Sequence, residues 1–208
     1  MLFFPLIMLK SSATNRKSTY PIQPLILNRW SPRAMSGESL TDEELMPLFE
    51  AARWAPSSYN NQPWKFLYAK RDTKHWKTFF SLLGEFNQSW CKNAAVLVVI
   101  IARKNFEHNN KPSVTHQYDA GAAWENLALE GSARGLVVHG MEGFDYEKAR
   151  KELKIPEEYV ILAMAAIGKP AKAGKEILPE ELAKREIPSD RKPLKEIIME
   201  GEFREEKK

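Results

Sequence analysis

The sequence predicts one globular domain of the α/β or α+β class, with helices covering its sheet. Three observations carry this. Stretches with helical periodicity alternate with short β-branched runs along the chain. One such run, AAVLVVIIA at 94–102, is apolar throughout, as a strand buried on both faces must be. A chain of 208 residues, 43% hydrophobic and 28% charged, is long enough to bury a core and too apolar to be disordered.

The elements follow in order. MLFFPLIML is apolar, but it has no basic n-region, contains Pro5 and stops at Lys10. It is too short to span a bilayer and makes a poor signal peptide. Residues 1–20 therefore read as an arm, frayed or docked, with a leader or membrane tether as the alternative. SLTDEELMPLFEAARW carries the capping-box pair Thr41 and Glu44, with Leu45, Leu48, Phe49 and Ala52 on one face, which predicts a helix over 41–54 kinked at Pro47. KFLYAKR is a short strand. TKHWKTFFSLLGEF places Trp76, Phe79, Phe80 and Leu83 on one helical face.

KNFEHNNKPS is a polar loop, and YDAGAAWENLALEGSARG a long helix ending at Gly135. That helix is so rich in Gly and Ala that it is expected at the centre, buried all round and at a subunit interface. LVVHG is a strand, DYEKARKELK a helix and YVILAMAAIG a buried strand. A Lys/Pro/Glu-rich loop at 169–188 and a short extended tail, RKPLKEIIMEGEF, complete the chain.

Composition excludes several functions. The net charge is +4, and basic clusters such as KREIPSDRKPLK carry acids among the bases, so nothing supports a nucleic-acid surface. Cys91 is the single cysteine, which rules out an intrachain disulfide and agrees with a cytoplasmic location. The four histidines are scattered, with no CxxC or HExxH pattern, so no metal site is expected.

Three stretches do carry chemistry. In NRWSPRAM, Arg29, Ser31 and Arg33 alternate, so an extended segment projects all three to one side, where two guanidinium forks and a hydroxyl suit a phosphate. APSSYNNQPW, residues 55–64, packs Ser, Asn, Gln and Pro into one connection, more donors and acceptors than a solvated loop needs. In HGMEGFD a strand ends in Gly140, Met141, Glu142 and Gly143, and Gly143 permits close backbone approach to a flat ligand.

Together and in this order, ARWAPSSYNNQPW, DAGAAWENLALEGSARGL, MEGFD, AIGKP and PSDRKPL resemble the nitroreductase family of FMN-dependent oxidoreductases, over about residues 25–203. The resemblance implies an α+β fold with a central mixed sheet flanked by helices. It also implies a domain-exchanged homodimer with FMN at the interface, residues 1–24 as an arm and 204–208 as a charged tail. By the same resemblance Arg29, Ser31 and Arg191 hold the FMN phosphate. Ser189 stands where members often carry Lys, leaving the clamp one charge weaker. Arg33 faces the pyrimidine edge, with Asn87 bonding the same edge. Pro56, Ser57, Ser58, Asn60 and Gln62 wrap the flavin of the other subunit. Met141, Glu142 and the Gly143 N–H line the ring near N5.

The chemistry then belongs to the cofactor. NADH or NADPH is the reductant and a nitroaromatic, quinone or related conjugated small molecule the acceptor, by ping-pong hydride transfer with no catalytic side chain. No membrane or nucleic-acid partner is implied. The alternative is a flavin-binding protein without NAD(P)H turnover, in which Trp30, Tyr59 or Trp124 blocks the nicotinamide face.

Overall fold

The computed structural model describes residues 16–204. Residues 1–15 of the expected arm and 205–208 of the expected tail lie outside the described residues. Four strands, β1 (Trp64–Lys70), β2 (Val96–Arg103), β3 (Val137–Met141) and β4 (Tyr159–Gly168), form one sheet in the order β1-β2-β4-β3. Among the described residues every pairing is antiparallel, where a mixed sheet was expected.

Strand periodicity explains the layers. Side chains alternate across a sheet, so β2 sends Leu97, Val99 and Ile101 into one core and Val96, Val98, Ile100 and Ala102 into another. Seven of its eight residues are buried, which accounts for its unbroken apolar run.

Helices α2 (Asp42–Arg53) and α5 (His116–Ala133) cover the second core. The other face is covered by α3 (Trp76–Leu82), α4 (Glu85–Cys91), α6 (Tyr146–Glu152) and α7 (Glu180–Lys184). A short α1 (Pro24–Asn28) leads into the Arg29–Arg33 segment.

Helix α2 begins at the predicted capping box: Thr41 Oγ1 accepts from the Glu44 N–H, and the Glu44 carboxylate accepts from the Thr41 N–H. It continues through Pro47 to Arg53. Its Leu45 and Leu48 are fully buried, each contributing about 1.5–3 kcal/mol by burial.

The expected single helical face from Trp76 to Leu83 ends one residue short. Leu83 pairs with Phe144 across an isolated bridge, and the Gly84 N–H donates to the Gly143 carbonyl at 3.1 Å. Backbone taken up in that pairing has left the helix, and α4 starts afresh after Gly84.

Helix α5 ends as expected at Gly135. The Gly135 N–H bonds the Ser132 carbonyl and the Leu136 N–H bonds the Gly131 carbonyl, with Gly135 at φ 71°. Its small residues serve one face only. A Cβ at Gly131 would lie 2.4 Å from Val138 Cγ2, whereas nothing lies within 4 Å of one at Gly121. In one chain the helix is buried on one side rather than all round, with Gln117, Tyr118 and Gly121 exposed. The C-terminal segment is not wholly extended either, because Leu194–Glu196 form a 3₁₀ turn.

Candidate functional site

Two cavities meet at Arg29 and Ser31. The first, about 520 Å³, is lined by Arg16, Arg29, Arg33, Lys184, Arg185 and Arg191, with Trp30, Ser31, His139 and Ser189. The second, about 490 Å³, is walled by Ile100, Leu162 and Ala163 of the sheet, by Gly140, Met141 and Glu142, and by the exposed side of α5 at Gln117, Gly121 and Trp124.

The first cavity carries surplus positive charge. Arg29 Nε lies 3.3 Å from Glu125, Arg33 Nη1 lies 3.5 Å from Glu186, and Lys184 pairs with Glu180 and Glu181. Arg16, Arg185 and Arg191 make no ion pair among the described residues. Uncompensated guanidiniums gathered around one cavity repel each other until an anion enters. Ser31 Oγ accepts from Arg29 at 3.4 Å, and Ser189 Oγ accepts from Arg191 at 3.3 Å, so both hydroxyls hold guanidiniums in place.

Glu186, just after α7, clips this segment down. Its Oε1 accepts from the N–H groups of Arg33 and Ala34 at 2.5 and 2.9 Å. Arg33 lies 6.0 Å over the Trp90 ring, and its buried Nε–H has no partner among the described residues. His139 packs against the same indole at 4.7 Å and donates from Nδ1 to the Pro32 carbonyl at 3.0 Å. Burial, with some help from the Arg33 cation, pushes its pKa below the ordinary value, so the ring is held neutral.

Of the turn Met141–Gly143, Met141 and Glu142 line the second cavity, and Gly143 lines neither. The Gly143 carbonyl accepts from Gly84 N and from Asn87 Nδ2, at 3.1 and 2.9 Å, while its own N–H has no partner among the described residues. A Cβ on Gly143 would lie 2.8 Å from Asn87 Nδ2, and one on Gly140 would lie 2.8 Å from the Trp124 ring. Both glycines are therefore required by close packing. Asn87 is only 7% exposed and lines neither cavity; its amide is taken up by Gly143 and by the Trp90 Nε1–H at 3.2 Å. The structure thus gives Asn87 two contacts behind the turn, one to Gly143 and one to Trp90.

The loop containing Pro56, Ser57, Ser58, Asn60 and Gln62 lines neither cavity of its own chain. It is nonetheless built with strain. Tyr59, Asn60 and Gln62 all have left-handed backbones, at φ 52°, 52° and 47°, a cost of about 1–3 kcal/mol each. Polar bonds hold the shape: Ser57 Oγ accepts from the Gln62 N–H at 3.0 Å, and Asn61 Oδ1 accepts from the Glu107 N–H at 3.0 Å. The buried Asp119 of α5 accepts from the Ser58 N–H and from Thr115 Oγ1, both at 3.2 Å. Tyr59 is 84% exposed and meets the edge of Phe106.

The nitroreductase family model matches residues 26–82 and 70–169. The chain belongs to the nitroreductase family. Among its relatives, Protein DrgA of Synechocystis is 31% identical over 159 residues, covering 62% of this chain and 74% of that protein. The NADH dehydrogenase of Thermus thermophilus is 26% identical over 204 residues, covering 83% and 92%. A crystal structure of an oxidoreductase containing FMN superposes with a TM-score of 0.88 at 44% identity, over 93% of this chain and 98% of that one. The nitroreductase-like fold is thereby established.

Within this family fold, sequence reasoning missed Arg16, Lys184, Arg185, His139, Glu186 and Asp119. Asp119 and His139 had a signal, since each is a polar residue in an otherwise apolar stretch of helix or strand. The others come from the arm and from the end of the short α7 and the residues just after it, where no periodicity marks a side chain as facing a cavity. Among the described residues no helix is long and apolar enough to cross a membrane, and no group of three or more His, Cys, Asp or Glu could hold a metal.

Proposed function

We propose that this nitroreductase-family chain is an NAD(P)H-dependent FMN oxidoreductase, with residues 25–203 as one flavin-binding domain behind the arm 1–24. The junction of the two cavities at Arg29 and Ser31 carries the reading. FMN has the same polarity, anionic at one end and flat and largely apolar at the other. The residues fit it. Arg16, Arg185 and Arg191, without an ion pair among the described residues, suit the phosphate end, and the open space at Gly121 beside Gly140, Met141 and Glu142 suits a planar ring.

In this reading Arg29, Ser31 and Arg191 hold the phosphate, and Arg33 lies toward the pyrimidine edge. Met141, Glu142 and the free Gly143 N–H border the ring. Bound FMN supplies the two-electron chemistry, taking hydride from NADH or NADPH and returning it to an acceptor. The protein's share is orientation and charge. The Gly143 N–H would donate a hydrogen bond to the bound group, and the Arg33 cation would favour negative charge as it develops there. No side chain acts as acid or base. A single site that admits donor and acceptor in turn would give ping-pong kinetics and would favour flat conjugated acceptors such as nitroaromatics and quinones.

A second copy completes the site. The strained loop 56–62, with Pro56, Ser57, Ser58, Asn60 and Gln62, wraps the flavin bound mainly by the other chain. Supporting this, the loop lines neither of these two cavities in its own chain, the space at Gly121 is open, and Val114, Tyr118, Ile187 and Phe203 are exposed. Flavin exchange combined with light scattering tests the proposal. The protein takes up FMN in preference to FAD and carries it as a dimer. Selective FAD uptake, or a monomer retaining FMN, contradicts it.

A further inference from the structure

The cationic cavity holds a guanidinium that the family match does not reach. Arg16 precedes the matched region, which begins at residue 26. Its Nη1 donates to the carbonyls of Arg29 at 2.8 Å and Leu27 at 3.3 Å. Those carbonyls belong to the end of α1 and its C-cap, so Arg16 fixes the turn from which Arg29 and Ser31 project. Its guanidinium also lines the same cavity as Arg29, Ser31 and Arg191. The Nε–H is buried without a partner among the described residues.

The neighbours of Arg16 are mostly of its own sign. Burial, Arg191 and Arg29 lower its pKa, and Asp190 offsets this only in part. No carboxylate lies within ion-pair distance of Arg16 or Arg191 among the described residues. Convergent planar forks of one sign are stable together when a phosphate lies between them.

We infer that Arg16 is a third guanidinium of the phosphate clamp, beside those of Arg29 and Arg191, so that the segment ahead of the family-matched region takes part directly in holding the cofactor phosphate. This rests on the FMN reading and extends it to a residue outside the motifs. It also returns to the cavity the charge that Ser189 does not provide. A bare helix-capping role for Arg16 makes a different prediction, because it would affect the phosphorylated and unphosphorylated flavins alike.

The experiment uses the full-length chain freed of flavin and compares FMN with riboflavin, which lacks only the phosphate. Affinities are read by flavin fluorescence for wild type, Arg16→Gln and Arg16→Lys. Glutamine keeps an N–H₂ for the two carbonyls, and lysine keeps the charge. Arg16→Gln should weaken FMN about ten- to a hundred-fold while leaving riboflavin within about two-fold, the scale of one charge-assisted bond. Arg16→Lys should recover most of the loss. Equal weakening of both flavins, or unchanged FMN affinity, overturns the inference. If the wild type takes up neither flavin, the cofactor reading fails by itself, and inorganic phosphate then decides the role of Arg16. A phosphate-induced rise in melting temperature that Arg16→Gln abolishes upholds the anion site, and no rise in the wild type refutes it.

Discussion

Replacing Asn87 by alanine should cost both stability and flavin geometry, in amounts set by its two contacts. Its Nδ2 donates to the Gly143 carbonyl at 2.9 Å, and its Oδ1 accepts from Trp90 Nε1–H at 3.2 Å. On the first side the loss is moderate, because Gly143 keeps its bond from Gly84, and one neutral hydrogen bond is worth about 1 kcal/mol. On the second side the indole N–H of Trp90, only 1% exposed, loses its acceptor, which costs about 1–3 kcal/mol. The total is about 2–4 kcal/mol, a large share of the roughly 5–15 kcal/mol of a typical domain. Denaturant unfolding of the flavin-free protein should show a lower midpoint at unchanged slope. FMN affinity should fall too, because the turn bearing the Gly143 N–H loses its support. A stability within about 0.5 kcal/mol of wild type would refute this reasoning. If FMN affinity were then lost all the same, Asn87 would touch the flavin itself, as the family resemblance implies.

Other perturbations separate the remaining parts. Gly143→Val places a branched side chain where Asn87 Nδ2 stands 2.8 Å from the Cβ position, so FMN binding should weaken or flavin reduction by NAD(P)H slow, both readable by absorbance. Arg33→Ala leaves the Glu186 carboxylate unbalanced beside the site, so the flavin midpoint potential should fall, by about 30 mV for each 1.4 kcal/mol lost from the reduced form. Adding Glu186→Gln should restore part of that fall in a redox titration. His139 has a folded pKa below its ordinary 6.5, chiefly through burial, so the unfolded chain takes up its proton first as pH falls. Its contribution is therefore intact above pH 6.5 and lost progressively below it, and His139→Gln should flatten that part of a stability-versus-pH curve.

Much of the fold was legible because periodicity is a strong local signal. β2 is apolar throughout because both faces are buried, and α2 starts where Thr41 and Glu44 cap it. The break at Gly84 was not legible. It depends on a pairing with Phe144 about sixty residues later, and nothing local announces such a contact. The strand directions were likewise hidden, since an alternating helix–strand pattern suits parallel crossovers as well as the antiparallel order observed.

For the site, alternation in NRWSPRAM did bring Arg29, Ser31 and Arg33 to one cavity, with Arg191 joining from the far end of the chain. Asn87 shows the opposite case. A residue type that suits a ligand also suits a buried turn, and only the positions of Gly143 and Trp90 decide between them. The left-handed backbones of Tyr59, Asn60 and Gln62 explain the density of polar residues in that loop, but composition alone does not reveal which bond holds which turn.

The central claim is that the joined cavities hold an FMN that NAD(P)H reduces. Anaerobic addition of NADH or NADPH to the FMN-loaded protein tests it most directly, with the flavin band near the visible–ultraviolet boundary as the readout. The account predicts that this absorbance bleaches on addition of one of the two nucleotides and returns when a quinone or nitroaromatic is added. Flavin that stays bound and oxidised under both nucleotides would contradict the enzyme and leave a binding protein in its place.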